Sequence, residues 1–300
     1  MTTVVAVWQT EGAWRRLSDY LALTKPRVVA MVLITTAVGF HLGSAGSRIS
    51  LALLYTLAGT ALAAGGTLAL NQYMERDLDA RMDRTRHRPL PEGRVHPGEA
   101  LLLGCTLVLG GVTVLFLAVE PLAAVVTAAI AIIYLLLYTP LKRVSSVCSL
   151  VGAIPGALPP VAGWAAARGA LGLEPWILFA IMFLWQIPHT LAIGRMYRDD
   201  YARAGIRVLP VVDRDGRTTG LHAVTNCLAL LPVALLPTVI GLAGATYFLI
   251  ALGLGLAFLW SAVGLARGGR SADARRLLFA SLVYLPVLLA VMAFDRLASR

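Results

Sequence analysis

The chain has 300 residues, a formal net charge of +10, 58% hydrophobic residues and only 14% charged ones. Soluble domains carry roughly a quarter of their residues as charges, and here the charges fall in blocks between long apolar runs, which excludes an ordinary soluble domain. The basic residues keep to alternate loops, a pattern that speaks for a membrane surface and anionic small molecules as partners and against nucleic acid.

The first residues, Met1 to Trp8, lack a basic stretch and are followed by Gln9 and Glu11, so they read as part of a short tail (1–19) and not as a signal peptide. Trp14 to Arg27 reads as an amphipathic approach to the first span, with Pro26 at a helix start. Apolar runs near the ~20 residues needed to cross a bilayer then predict nine transmembrane helices in an all-α domain covering 1–300. The expected spans are 28–43, 51–70, 100–119, 121–138, 147–166, 175–196, 222–242, 244–265 and 277–294. The fifth holds Gly152, Pro155, Gly156, Pro159 and Pro160, which should kink it and free backbone carbonyls towards a cavity. Cys105, Cys148 and Cys227 lie in apolar segments at no ligand-like spacing and read as small hydrophobes. Trp164 and Trp176 read as interfacial anchors.

With nine spans the two ends lie on opposite sides. Of the 26 Lys and Arg, all but Arg48, Arg168, Arg296 and Arg300 fall on the side of the N-terminus. That bias predicts a multi-pass cell-membrane protein with a cytoplasmic N-terminus, its C-terminus across the membrane, and two cytoplasmic loops (71–99 and 195–221) bearing the acids.

The first loop follows directly on the second span. If the helix continues past Asn71, then Asn71, Glu75, Asp79 and Asp83 recur every fourth residue along one stripe. Like charges so spaced repel by a few tenths of a kcal/mol per pair, which invites a cation between them. Magnesium fits, since it is satisfied by one or two carboxylates, retained waters and phosphate oxygens. Interleaved arginines, among them Arg76 and Arg84, suit phosphate oxygens. A loop of solvated salt bridges accounts for the composition equally well. The second loop carries Asp199 and Asp200, backed by Arg195, Arg198 and Arg203; facing the first set across a cavity, it could hold metals around one diphosphate. His189 stands in mid-span, where a histidine is costly and functional by default; a hydrogen bond to a neighbouring helix is the plain alternative. His87 and His96 lie in a basic loop and read as surface residues.

Asn71 to Asp79, with Arg84-Thr85 and Arg88-Pro89, resembles the Asn-x-x-x-Asp-x-x-x-Asp motif of UbiA-type intramembrane prenyltransferases. Leu23 to Arg27, Tyr138 to Arg143, Pro159 to Trp164, Trp185 to His189 and Asp200 to Val212 resemble, in order, stretches of the protoheme IX farnesyltransferase branch. Glu75 departs from the motif's usual Asp, Cys148 from an expected Asn and Arg207 from an expected Pro. The resemblance implies a helical bundle around a central cavity that moves a farnesyl group from farnesyl diphosphate to a vinyl group of heme B, with water added, giving heme O and diphosphate. It implies Asn71, Glu75, Asp79, Asp83, Asp199 and Asp200 as the magnesium and catalytic set, and Arg76, Arg84, Lys142 and Arg198 on the diphosphate. Tyr138 would steady the allylic cation, with His189 and His87 as heme contacts and heme-copper oxidase assembly machinery as the recipient of product. Two competing readings are a related enzyme acting on a quinone precursor or chlorophyll-like ring, and a transporter, for which midplane charges would be expected.

Overall fold

A computed structural model describes residues 14–44 and 50–298; the tail 1–13, Arg48, Arg300 and the side chain of Arg296 lie outside the described residues. A surface helix α1 (14–23) leads into α2 (Pro26–Gly43) and α3 (Leu51–Asp79). Then come α4 (Pro97–Ala118), α5 (Pro121–Ile132), a π-helical turn (Ile133–Tyr138), α6 (Thr139–Leu141), α7 (Cys148–Ala157), α8 (Pro159–Arg168) and α9 (Leu173–Met196). The chain ends with α10 (Arg198–Arg203), α11 (Leu209–Val212), α12 (Arg217–Val239), α13 (Ala245–Gly268) and α14 (Ser271–Ala298). Among the described residues nine stretches are long and apolar enough to cross a membrane, α5 to α6 and α7 to α8 each counting as one.

The helix ends follow local chemistry and correct the expected boundaries. Ser50 caps α3, accepting from Leu53 N at 3.3 Å. His96 is not a bare surface residue, for it caps α4 in a capping box with Glu99. The stretch 71–79 is helix and not loop, as are 195–196 and 217–221. The stripe predicted from Asn71 to Asp83 stops at Asp79, where Thr85 Oγ1 donates to the Asp79 carbonyl at 2.9 Å and turns the chain. Span five breaks at Leu158, because Pro159 and Pro160 lack the N–H groups that would carry α7 onward. Pro140 likewise cannot donate to the Leu136 carbonyl, and the wider π turn lies directly before it.

The spans form a closed ring in which α14 packs on both α9 and α2, and α4 and α13 lie outside α3 and α12. With lipid as apolar as the side chains, close association rests on small residues at the crossings. Gly39 and Gly163 let α2 and α8 meet, since a Cβ on Gly163 would strike the Thr36 carbonyl and one on Gly39 the Pro160 carbonyl. Trp164, expected at the interface, is buried in this contact with only 3% of its surface exposed, because α8 turns it inward between α2 and the main core. Trp176 stays half exposed. Cys148 and Cys227 are buried, but Cys105 is exposed.

Gly163→Val should lower the melting temperature of the protein in detergent, as overpacking of a tight core costs about 1–3 kcal/mol. An unchanged melting temperature would show that α2 and α8 can part without loss.

Candidate active site

The last two turns of α3 carry oxygen donors that a helix end in a membrane protein rarely buries unpaired. Asn71 and Asp79 are each 1% exposed and Glu75 is 8% exposed. Each is held by a side chain from elsewhere in the chain. Lys25 Nζ donates to Asn71 Oδ1 at 3.2 Å, Lys142 Nζ to Glu75 Oε1 at 2.7 Å, and Arg88 Nη1 to Asp79 Oδ2 at 2.6 Å. Asn71 Nδ2 in turn donates to Thr139 Oγ1 at 3.1 Å, which donates to the Tyr134 carbonyl at 2.8 Å, tying the motif to the π turn.

The π turn brings Tyr134, Tyr138 and Lys142 to one side. The two tyrosine rings meet edge to face at 5.1 Å, and Lys142 Nζ stands 4.3 Å from the centre of the Tyr138 ring. Burial works against the Lys142 ammonium, but the Tyr138 oxygen and the Glu75 carboxylate more than offset it and hold its pKa above the usual lysine value. Lys25 goes the other way: burial, with Arg88 and Lys142 nearby, lowers it to about 7. Lys25 is also the one described non-glycine residue with positive φ, at φ 49° and ψ 66°. That geometry costs roughly 1–2 kcal/mol in an L-residue, and the following Pro26 favours extended backbone at this position instead.

The second acidic loop folds onto the first. Arg203 bridges Asp83 (2.6 Å) and Asp200, while Asp83 N donates to Asp200 Oδ1 at 3.4 Å. Arg84 lies over the rings of Tyr197 and Tyr201, its centre 5.2 and 5.8 Å from theirs. Met82 packs with Ala204 and Ile206 beneath. Arg207, where a proline was expected, donates its backbone N–H to the Lys142 carbonyl at 2.8 Å, a bond proline cannot make.

Below these groups opens a cavity of about 490 Å3, within the usual range of ligand sites. Its walls come from α2, α3, the π turn, α7, α8 and α9. Arg84, Tyr134, Tyr138 and Tyr201 reach its lining, together with Cys148 and Gln186. Gly152 keeps the wall open, since a Cβ there would lie 2.6 Å from the Tyr138 ring.

The structure thus brings together Asn71, Glu75, Asp79, Tyr138 and Lys142, and joins Asp83 to Asp200 beside Arg84. Asp83 is exposed and pairs with Arg203 and, at 3.4 Å, Arg86. Asp199 is exposed, and neither it nor Arg198 has an ion-pair partner among the described residues. Arg76 turns to Asp77 at 3.3 Å. His87 is exposed and bonds Glu92 at 2.8 Å; this contact and Arg94 hold the Glu92 carboxyl below its usual range. His189 is outside the cavity lining, with Nδ1 2.8 Å from Ser281 Oγ and its ring stacked on Trp185. Sequence reasoning passed over Lys25, Gln72 and Thr139 as individual residues. Position alone could have flagged the first two, Lys25 standing before a helix-starting proline and Gln72 beside Asn71 in an apolar helix.

Among the described residues no three Asp, Glu, His or Cys side chains converge as a closed metal cage. Hard carboxylate oxygens in ones and twos beside lysine and arginine side chains fit a divalent ion that shares its ligands with a phosphate-bearing molecule.

Residues 32–283 match the UbiA prenyltransferase family. The protoheme IX farnesyltransferase of Solibacter usitatus (strain Ellin6076) is 46% identical over 289 residues, spanning 93% of this chain and 99% of that protein. That of Koribacter versatilis (strain Ellin345) is 44% identical over 295 residues and 95% of each. The solved structure of a UbiA homolog from Archaeoglobus fulgidus bound to DMAPP and Mg2+ shares the fold, with a TM-score of 0.71 at 17% identity over 93% of this chain and 99% of that one. A match through most of the sequence, with relatives this similar along nearly their whole length, makes the chain a member of the UbiA prenyltransferase family.

Proposed function

We propose that the protein transfers the farnesyl group of farnesyl diphosphate to a vinyl group of heme B, with water added, releasing heme O and diphosphate. The observation that carries this reading is the apolar cavity capped by buried carboxylates and phosphate-binding cations. The chemistry of the acceptor follows the names of the relatives. The charge bias supports a cytoplasmic face for the polar mouth, in the cell inner membrane, with the C-terminus on the other side.

Asn71, Glu75, Asp79, Asp83, Asp199 and Asp200 would hold Mg2+, which when bound offsets charge on the departing diphosphate. Lys142, Arg84, Arg76 and Arg198 bind the phosphate oxygens. The C1–O bond of farnesyl diphosphate breaks with its electron pair leaving on the diphosphate. Tyr138 presents its ring face to the allylic cation, and the π turn keeps that ring fixed. The vinyl π pair forms the new C–C bond, water adds at the resulting cationic carbon, and its proton passes to the diphosphate. His189 and His87 are the proposed heme contacts. For His189 the bonding supports a defined tautomer, because Ser281 Oγ already donates to the Leu278 carbonyl at 2.6 Å and so accepts from Nδ1–H. Nε2 is then left with its lone pair for iron.

Purified protein incubated with farnesyl diphosphate, heme B and Mg2+ should yield a heavier, more hydrophobic heme; turnover only on a quinone precursor would select that acceptor instead. Asp79→Ala and Asp83→Ala should each cut turnover by about 100-fold or more, about 2.7 kcal/mol of transition-state stabilisation, while the protein still inserts. Near-normal rates in both would remove the metal assignment. His189→Ala should raise the KM for heme B about tenfold and leave diphosphate binding alone; equal loss of both would count against a heme role.

A further inference from the structure

Gln72 is 1% exposed and takes no part in the chemistry above. Its Nε2 donates to the Leu23 carbonyl at 2.8 Å and the Ala22 carbonyl at 3.2 Å. These are the last carbonyls of α1, groups a helix end leaves without partners. Since both contacts are acceptors, the amide orientation is fixed with nitrogen towards α1. Two residues on, the chain passes through Lys25 in its left-handed conformation and starts α2 at Pro26. Gly65, about two helical turns before Gln72 on the same side of α3, admits Thr24 to 3.3 Å of where a Cβ would stand, so the junction is held from two positions on α3.

Lys25 Nζ ends on Asn71, the residue next to Gln72. The Lys25 carbonyl accepts from Val28 N at 2.9 Å and Val29 N at 3.2 Å, and its N–H donates back at 3.3 Å to the Ala22 carbonyl that Gln72 holds. The end of α1 and the start of α2 together fix a backbone conformation that proline disfavours. A half-buried ammonium aimed along the acid-bearing face of α3, in the company of Lys142 and Arg88, suits a multiply charged anion.

We infer that Lys25 is a further diphosphate-binding residue and that Gln72 is its positioning residue, holding the α1–α2 junction so that the ammonium meets the phosphate beside Asn71. This rests on the prenyl-transfer reading of the same site.

The test is a double-mutant cycle on the full-length protein in detergent, with Mg2+ and inorganic pyrophosphate as the titrant by calorimetry and heme B followed separately by absorption. Lys25→Met should weaken pyrophosphate about tenfold, Gln72→Leu by a similar factor, and the double variant no further, while heme binding stays as in the wild type. Coupled residues show such non-additivity, which general loosening of the bundle would not produce. Should Gln72→Leu fold poorly, Gln72→Met replaces it. Wild-type affinity in Lys25→Met, multiplying losses in the double variant, or equal weakening of heme would overturn the inference. Absence of pyrophosphate binding by the wild-type protein would instead overturn the proposed function.

Discussion

The ion pair between Lys142 and Glu75 is the contact on which the site's architecture turns. Each side chain is largely buried, and each would be costly without the other. Their meeting fixes the end of α3 against the chain beyond the π turn, and so sets the distance between the acid helix and the Tyr138 ring. The neighbouring pairs Arg88 with Asp79 and Lys25 with Asn71 repeat the same solution on either side. Because the cations come from separate segments, α3 is gripped from several directions while its apolar part remains free to form a cavity wall.

The cavity has the opposite requirement. It must stay open inside a ring of helices that close packing would otherwise fill. Backbone irregularity does this: the break at Leu158, the glycines facing Tyr138 and Gln186, and the π turn all place backbone where regular helices would have put side chains. Gln186 adds a polar tie between α9 and α7, donating to the Ala153 carbonyl at 2.8 Å. Polar satisfaction and an apolar lining therefore coexist on one wall.

Much of this was legible in the sequence. The nine spans follow from hydropathy, and the two acidic runs sit at span ends where the charge bias puts them on one face. The proline-rich fifth span announces its break. The continuation of α3 to Asp79 was inferable from four-residue spacing, but its stop before Asp83 was not, since the stop depends on the Thr85 hydroxyl finding a backbone carbonyl. Nor could periodicity show the π turn, which adds a fraction of a residue to one turn. Trp164 was misplaced because composition cannot tell a tryptophan at the lipid boundary from one wedged between helices. Partner choice among 26 similar cations is likewise a matter of three-dimensional reach: the sequence supplies many candidates for each carboxylate and no means of ranking them.

Arg203, which joins Asp83 to Asp200, also orders events during synthesis. The acid helix emerges early, with the second span, yet Lys142 follows two spans later and Arg203 only after the sixth. Arg88 and Arg86 reach Asp79 and Asp83 from the loop directly after α3, but until Lys142 appears Glu75 stands near the bilayer without its counter-charge. The completed polar end, with Arg203 on Asp83 and Asp200, is thus absent from any fragment shorter than about two thirds of the polypeptide, and insertion must shield Glu75 by water or lipid headgroups until Lys142 arrives.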